Sequence, residues 1–168
     1  MAASARVSVT MTSVTLRQLT LRDWQAMRAA RLAALAEAPY AFASTLAREE
    51  AFSDETWQER AGSGRTFGAW QDGMIVGLAT GFPEEPPTGW HLVGMWVAPG
   101  HRGQGIADQL VGAVCELAKD AGAVSVTLWV ADANDRARAF YRRLGFMPTG
   151  QRQLLRPGEW EEELSLPT

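Results

Sequence analysis

The chain has 168 residues, 46% of them hydrophobic and 21% charged, with a formal net charge of −3. That is the length of one domain with an ample core, and the acidic balance speaks against a nucleic-acid binder working by bulk electrostatics. The single cysteine and two histidines exclude an intrachain disulfide and leave no expectation of a bound metal, and no apolar run approaches the roughly 20 residues that span a bilayer.

Residues 1–13 are small and polar, with Arg6 their only charge and no long apolar core; they read as a flexible tail and a poor signal peptide. One domain is expected over residues 14–168. Val14–Leu19 alternates enough for a first strand. Thr20 is placed to cap a helix from Leu21 to about Ala36, which Pro39 stops. Ala38–Ser44 has no clear period. Ser53 or Asp54 caps a short helix through Trp57 to Ala61, and Gly62–Gly64 is a loop. Arg65–Gln71 and Met74–Phe82 are strand-like runs joined by Asp72-Gly73, a strong hairpin signal. Pro83–Pro87 is a rigid turn before a strand over Trp90–Val97. A helix over Gly105–Ala121 carries Ile106, Leu110, Val111, Val114, Cys115, Leu117 and Ala118 in one wide apolar stripe, and Gly122 ends it. Val124–Val130 is a nearly unbroken apolar run, as in a strand covered on both faces. Ala133–Leu144 reads as the last helix, closed by Gly145. Phe146–Gln151 and Trp160–Leu166 are the final strands, with a turn at Arg156-Pro157-Gly158. No repeat and no linker interrupts this order.

The stretch from Met95 to Ala107 organises the rest. An apolar strand breaks at Pro99-Gly100 and offers Gly103 and Gly105 just before a helix opens at Ile106. Such a turn gathers backbone N–H groups that have no partner inside the helix, and the helix dipole adds positive potential there. Glycines remove the Cβ atoms that would hold an anion away, so the chemistry favours a diphosphate. A P-loop would need Gly-Lys-Ser/Thr, and a dinucleotide fold Gly-x-Gly-x-x-Gly with a later acid; neither is present. Two glycines before a helix often only make the turn, but here the spacing is more particular. Arg102-Gly103-Gln104-Gly105-Ile106-Ala107 resembles the Arg/Gln-x-x-Gly-x-Gly/Ala signature of the GNAT acetyltransferase superfamily. The resemblance implies acetyl-coenzyme A as co-substrate, its pyrophosphate held by the backbone amides of Arg102, Gly103, Gln104, Gly105, Ile106 and Ala107. It implies that Met95, Trp96 and Val97 meet the pantetheine arm.

Asn134 and Tyr141 stand about two turns apart on one face of the last helix. The run Asn134, Ala137, Tyr141, Gly145-Phe146 resembles the family's second signature. That assigns the Asn134 amide to the pantetheine and makes the Tyr141 hydroxyl the acid for the departing thiolate, a role a phenol of pKa about 10 can fill at neutral pH. Read alone, Asn134 is a helix cap and Tyr141 a core residue. The family's base is commonly a glutamate on the fourth strand; counting back from Val97 puts His91 there. Neutral imidazole is a competent base near pH 7, though a half-buried histidine bonded to a neighbour fits as well. Glu84 and Glu85 are alternatives that also read as a charged turn. The Val97 N–H is the expected donor to the developing oxyanion.

Other residues are less particular. His101 sits in the phosphate turn or simply faces solvent. Arg136, Arg138, Arg142 and Arg143 form a basic patch near a nucleotide 3′-phosphate, or a solvated helix face. Cys115 falls in the apolar stripe and reads as core rather than as an acetylated nucleophile. Tyr40, Phe42, Trp57, Trp90 and Trp96 are candidate walls of an acceptor pocket.

The element order is that of the GNAT superfamily from end to end. It implies a single-domain α/β fold with a mixed six- to seven-stranded sheet and helices on both faces. The function implied is acetyl-CoA-dependent N-acetylation, by direct transfer, of a primary amine on a small molecule or a protein. Neither metal, nucleic acid nor membrane is expected to take part; the setting is cytoplasmic, and a homodimer is expected through the C-terminal strands or exposed tryptophans. A catalytically silent acyl-CoA sensor on the same scaffold is the competing class, because fold does not fix function.

Overall fold

The computed structural model describes residues 13–84 and 89–168. The predicted tail lies outside the described residues except for Ser13, as do residues 85–87 of the predicted rigid turn, Glu85 among them. Seven strands form one sheet: β1 Thr15–Gln18, β2 Thr66–Gln71, β3 Met74–Pro83, β4 Trp90–Val97, β5 Ser125–Ala131, β6 Met147–Arg156 and β7 Glu159–Pro167. Their order is β1-β2-β3-β4-β5-β7-β6, and only β4 and β5 run parallel. The helices are α1 Trp24–Glu37, α2 Leu46–Glu50, α3 Asp54–Gly62, α4 Ile106–Asp120 and α5 Asp135–Arg143.

The two sheet faces are covered separately. Of the predicted stripe of α4, Ile106, Leu110, Val111, Val114 and Ala118 are buried against Val76, Ala79, Leu92, Val97, Val126 and Leu128, with Tyr141 and Phe146 in the same cluster, while Cys115 and Leu117 at its margin are only partly buried. On the opposite face, Met27, Ala30, Ala34 and Leu35 of α1 and Ala61 of α3 close over Ile75, Leu78 and Trp96. Leu110 and Val114 are fully buried, so each removes a whole aliphatic side chain from water, an effect of about 1.5–3 kcal/mol apiece.

Three expectations need correction, each for a physical reason. The first helix does not start at Leu21: a 3₁₀ turn, Leu21–Asp23, precedes it, where the Thr20 N–H and hydroxyl both donate to Asp23 Oδ2 (2.8 and 3.0 Å). Helix α2 has no counterpart in the predicted order. The residue it buries is a charge, Glu49, so it shows no apolar period; Thr45 caps it by accepting from the Arg48 N–H at 3.3 Å. Strand β6 runs on to Arg156 rather than ending at Gln151. Its residues up to Gln153 are exposed on both faces, so no alternation marks it and its pairing with β7 defines it.

Strand β4 carries the two irregularities that make a site. Between the pairs Leu78–Trp96 and Thr80–Val93, Gly94 and Met95 stand opposite Ala79 alone, a bulge, with Gly94 at φ +63°. The bulge reverses the alternation. Before it Trp90 and Leu92 enter the α4-side core; after it Val97 does, and Trp96 turns to the α1 side. Strands β4 and β5 pair only at Trp90–Val126 and His91–Thr127, then diverge. A crevice at the carboxyl ends of diverging parallel strands is where α/β sheets place ligands.

Candidate active site

The crevice is a cleft of about 330 Å³. One wall is the end of β4, with Met95, Trp96 and Val97; its floor is the turn and first residues of α4, with Arg102, Gly103, Gly105, Ile106 and Ala107; the far wall is α5, with Asn134 and Tyr141. The 38–42 loop after α1 closes the remaining side with Ala38, Tyr40, Ala41 and Phe42. Ten of the predicted cofactor-binding residues therefore meet in one place, and Gln104 alone of that set does not line it. The Gln104 side chain instead reaches back toward Gly100 O at 3.4 Å.

Gly103 (φ +75°) and Gly105 (φ +78°) take the left-handed conformation, and a Cβ on either would project into open space rather than against protein. No side chain caps α4, and its first intrahelical bond runs from the Gln109 N–H to Gly105 O (3.2 Å). The donors of the first turn thus face the cleft with their dipole, an arrangement that suits an anion such as a diphosphate. The Ala98 N–H bonds back to Val76 O (2.8 Å), which makes Val97–Gly77 a non-hydrogen-bonded pair. The Val97 N–H consequently faces the side from which β5 has peeled away.

Three features fix the cleft, none of them announced by a motif. Arg102 donates through Nε to Val97 O (2.8 Å) and through Nη2 to Glu37 Oε2 (2.7 Å), while Trp96 Nε1 donates to the same oxygen (3.1 Å). Desolvation pushes the Glu37 carboxyl up, but the bonds from Trp96 and Arg102 outweigh it and hold the group below its ordinary range. Asp108, in the first turn of α4, grips Arg143 of α5 at 2.8 and 3.1 Å, and that pairing lowers its pKa. Arg156, at the end of β6, donates through Nη2 to Pro39 O and Phe42 O (both 2.6 Å), tying the C-terminal hairpin to the loop.

Asn134 serves as cap and cleft wall together: its Oδ1 accepts from the Ala137 N–H (3.2 Å), which turns Nδ2 away from the helix. Tyr141 packs edge-on against Phe140 and Phe146 and lines the cleft; burial pushes its phenol well above the usual value. Of the basic patch, Arg136 and Arg143 line the cleft, whereas Arg138 and Arg142 pair with Glu162 (3.1 and 3.6 Å). His101 does not simply face solvent; it lines the cleft, with Nε2 bonded to Gln71 Oε1. Cys115 is half-buried on α4, and burial pushes its thiol up to about 11, which keeps it protonated. Among the acceptor-wall candidates, Tyr40, Phe42 and Trp96 line the cleft, but Trp57 and Trp90 are core.

His91 does not line this cleft. It sits at the paired end of β4, on the face opposite Trp90 and Leu92, with Nδ1 at 2.8 Å from Thr127 Oγ1. Val93, two residues on and on the same face, lines a second cavity of about 290 Å³ with Phe82, Gly94, Arg31 and Arg60. Beside that cavity, buried Glu49 accepts from Arg31 (3.0 and 2.7 Å) and Arg60 (3.1 Å). No cluster of three or more potential metal-binding side chains occurs among the described residues, and no helix among them is long and apolar enough to cross a membrane.

A sheet split between parallel β4 and β5, with an uncapped glycine turn at its mouth, defines an α/β fold with an anion-accepting cleft. The model of the Acetyltransferase (GNAT) family matches residues 26–146, and the chain belongs to that family. It is 38% identical over 85 residues to N-acetyltransferase 8F1 of Rattus norvegicus, an alignment spanning 48% of this chain and 38% of that protein. The chain thus spans well under half the length of that relative. Among solved structures it resembles nourseothricin acetyltransferase (30% identity, TM-score 0.57, 61% of this chain and 64% of that one). The structure of yncA from Salmonella typhimurium with its cofactor acetyl-CoA shares the fold (15% identity, TM-score 0.75, 93% and 94% covered).

Proposed function

We propose that this chain is an acetyl-CoA-dependent N-acetyltransferase that moves the acetyl group directly to a primary amine, on a small molecule or on a protein. The observation that carries the reading is the uncapped, left-handed glycine turn at Gly103 and Gly105, opening on a cleft that Asn134 and Tyr141 also line. Acetyl-CoA supplies an activated acetyl thioester when bound. The amides of residues 102–107 would hold its pyrophosphate and Asn134 Nδ2 its pantetheine, with no residue required to become acylated. The Val97 N–H would stabilise negative charge on the carbonyl oxygen. The Tyr141 hydroxyl would donate to the leaving sulfur; its raised pKa means it stays protonated across the working range. His91, which lines neither cavity, would take the proton of the incoming ammonium through a chain of water.

Two protons leave the ammonium in the overall reaction. One passes to solvent by way of His91, and the other restores to Tyr141 the proton that it gives to the CoA thiolate. The acceptor side is read as the cleft end walled by Tyr40, Phe42 and Trp96. A cytoplasmic, reduced setting belongs to this reading, supported by the one free cysteine. So does self-association through the exposed edge strand β6; a monomer in sedimentation would remove it. The test of the activity is thiol release from acetyl-CoA with a panel of primary amines. Tight CoA binding without turnover on any amine would favour the silent-sensor class.

A further inference from the structure

At the paired end of β4 and β5 three polar side chains from separate segments meet. The Thr127 hydroxyl donates to Glu84 Oε1 at 2.8 Å, and its oxygen lies 2.8 Å from His91 Nδ1. His91 Nδ1 is itself 3.4 Å from the same carboxylate oxygen. Glu84 is held in place by its backbone N–H, which donates to Gly89 O at 3.0 Å. Gly89 leaves the room the carboxylate uses: a Cβ there would stand 2.8 Å from Glu84 Oε2.

Counting protons settles which nitrogen of His91 is basic. Thr127 has one hydroxyl proton, and its two other neighbours, the Glu84 carboxylate and Trp90 O (3.5 Å), only accept. That proton is therefore committed to Glu84, and the Thr127 oxygen can meet Nδ1 only as an acceptor. Neutral His91 then carries its proton on Nδ1 and its lone pair on Nε2, because the bond made by one ring nitrogen sets the state of the other. The opposite tautomer would set two acceptors against one proton in a partly buried site.

We infer that Thr127 and Glu84 are positioning residues for His91, fixing the tautomer whose Nε2 is free to accept a proton. The inference rests on His91 as the base of the proposed reaction. The ammonium proton passes to Nε2 and gives an imidazolium with both nitrogens protonated; Nδ1–H keeps its bond to Thr127, and the Glu84 carboxylate faces the new charge. His91 returns to neutral by releasing the Nε2 proton to water. Nothing in this cycle moves the Nδ1 proton.

The test is ¹⁵N NMR of the full chain labelled at histidine, which has two such residues, His91 and His101, with His91→Gln assigning the signals. Neutral His91 is expected as the Nδ1–H form in the unaltered protein, and Thr127→Val is expected to move it toward Nε2–H. An Nε2–H form in the unaltered protein, or no change in Thr127→Val, overturns the inference, and the first of these needs no variant to fold. In kinetics, Thr127→Val and Glu84→Ala should lower kcat about tenfold with amine KM unchanged, and Thr127→Ser should restore it. A full kcat in His91→Ala would remove the base itself. A loss in His91→Ala with an unmoved kcat in Thr127→Val would overturn the positioning role alone.

Discussion

The two faces of the sheet are built from different materials. On the α4 face the packing is aliphatic, and the groups offered to a ligand are main-chain amides of one short turn. On the opposite face sit a buried ion cluster, Arg31–Glu49–Arg60, and the His91–Thr127–Glu84 chain, made of side chains drawn from six segments of sequence. The difference teaches where tolerance lies. A site of backbone amides survives most side-chain changes that keep the turn; a site of paired side chains fails when any one partner goes.

The sharpest way to break that comparison is through its buried groups. Glu49→Ala leaves Arg31 and Arg60 without their anion, and a loss of about 3–5 kcal/mol in denaturant unfolding is expected. Leu110→Ala on the α4 face should cost about 2–5 kcal/mol by leaving a cavity. The two losses separate by pH. Desolvation raises the Glu49 carboxyl, but the bonds from Arg31 prevail and hold it below its ordinary range. A carboxyl lowered on folding contributes stability that is complete above its unfolded pKa of about 4.3 and is lost as pH falls through the folded value. The gap between the parent chain and Glu49→Ala should therefore narrow on acidification below about pH 4.3. The Leu110→Ala gap should not follow it.

Next in size is the proposed acid. Tyr141→Phe keeps the ring packing on Phe140 and Phe146 and removes only the hydroxyl. We expect kcat to fall about 100-fold with the dissociation constant of acetyl-CoA unchanged, by stopped-flow thiol release and calorimetry. An unchanged kcat removes the role. Gly105→Val follows. It strains a left-handed position by about 1–2 kcal/mol and fills the open space proposed for the pyrophosphate, so calorimetry should read at least a tenfold weaker acetyl-CoA with turnover at saturation retained.

The same contrast explains what could be read before any coordinates. Gly103, Gly105, Asn134 and Tyr141 are legible because each motif is local: a turn before a helix, two positions on one helix face. The stripe of α4 is legible because it is apolar and periodic. Glu37, Asp108 and Arg156 were not, because each acts on a partner distant in sequence and none leaves a pattern around itself; Glu37 meets Arg102 across 65 positions. Helix α2 escaped because it is organised by a buried charge, and the end of β6 because neither face is buried. Counting back from Val97 reaches His91. Thr127 beside it follows only from the parallel pairing of β4 with β5, and Glu84, legible as an alternative base, is brought there by its bond to Gly89 in the turn before β4.

The smallest effect concerns the seam where the C-terminal hairpin meets the cleft. Arg156 Nη2 holds two carbonyls of the 38–42 loop, Pro39 O and Phe42 O, while Nη1 reaches Glu159 (3.3 Å). Both carbonyls lie in a segment with no helical or strand ladder beyond one 3₁₀ turn, Pro39–Ala41, so the guanidinium supplies much of its order. Charge-assisted bonds of this kind contribute about 1.5–3 kcal/mol, and partial exposure places Arg156 at the lower end. Arg156→Ala should leave global stability within about 1.5 kcal/mol, speed amide exchange in the 38–42 segment, and raise the amine KM a few-fold with that of acetyl-CoA unchanged. Arg156→Lys keeps the charge but cannot match the planar fork, so it should recover only part of the protection. Unaltered exchange in Arg156→Ala would mean that the loop is held by Phe42 in the apolar cluster beneath α1 rather than by the hairpin.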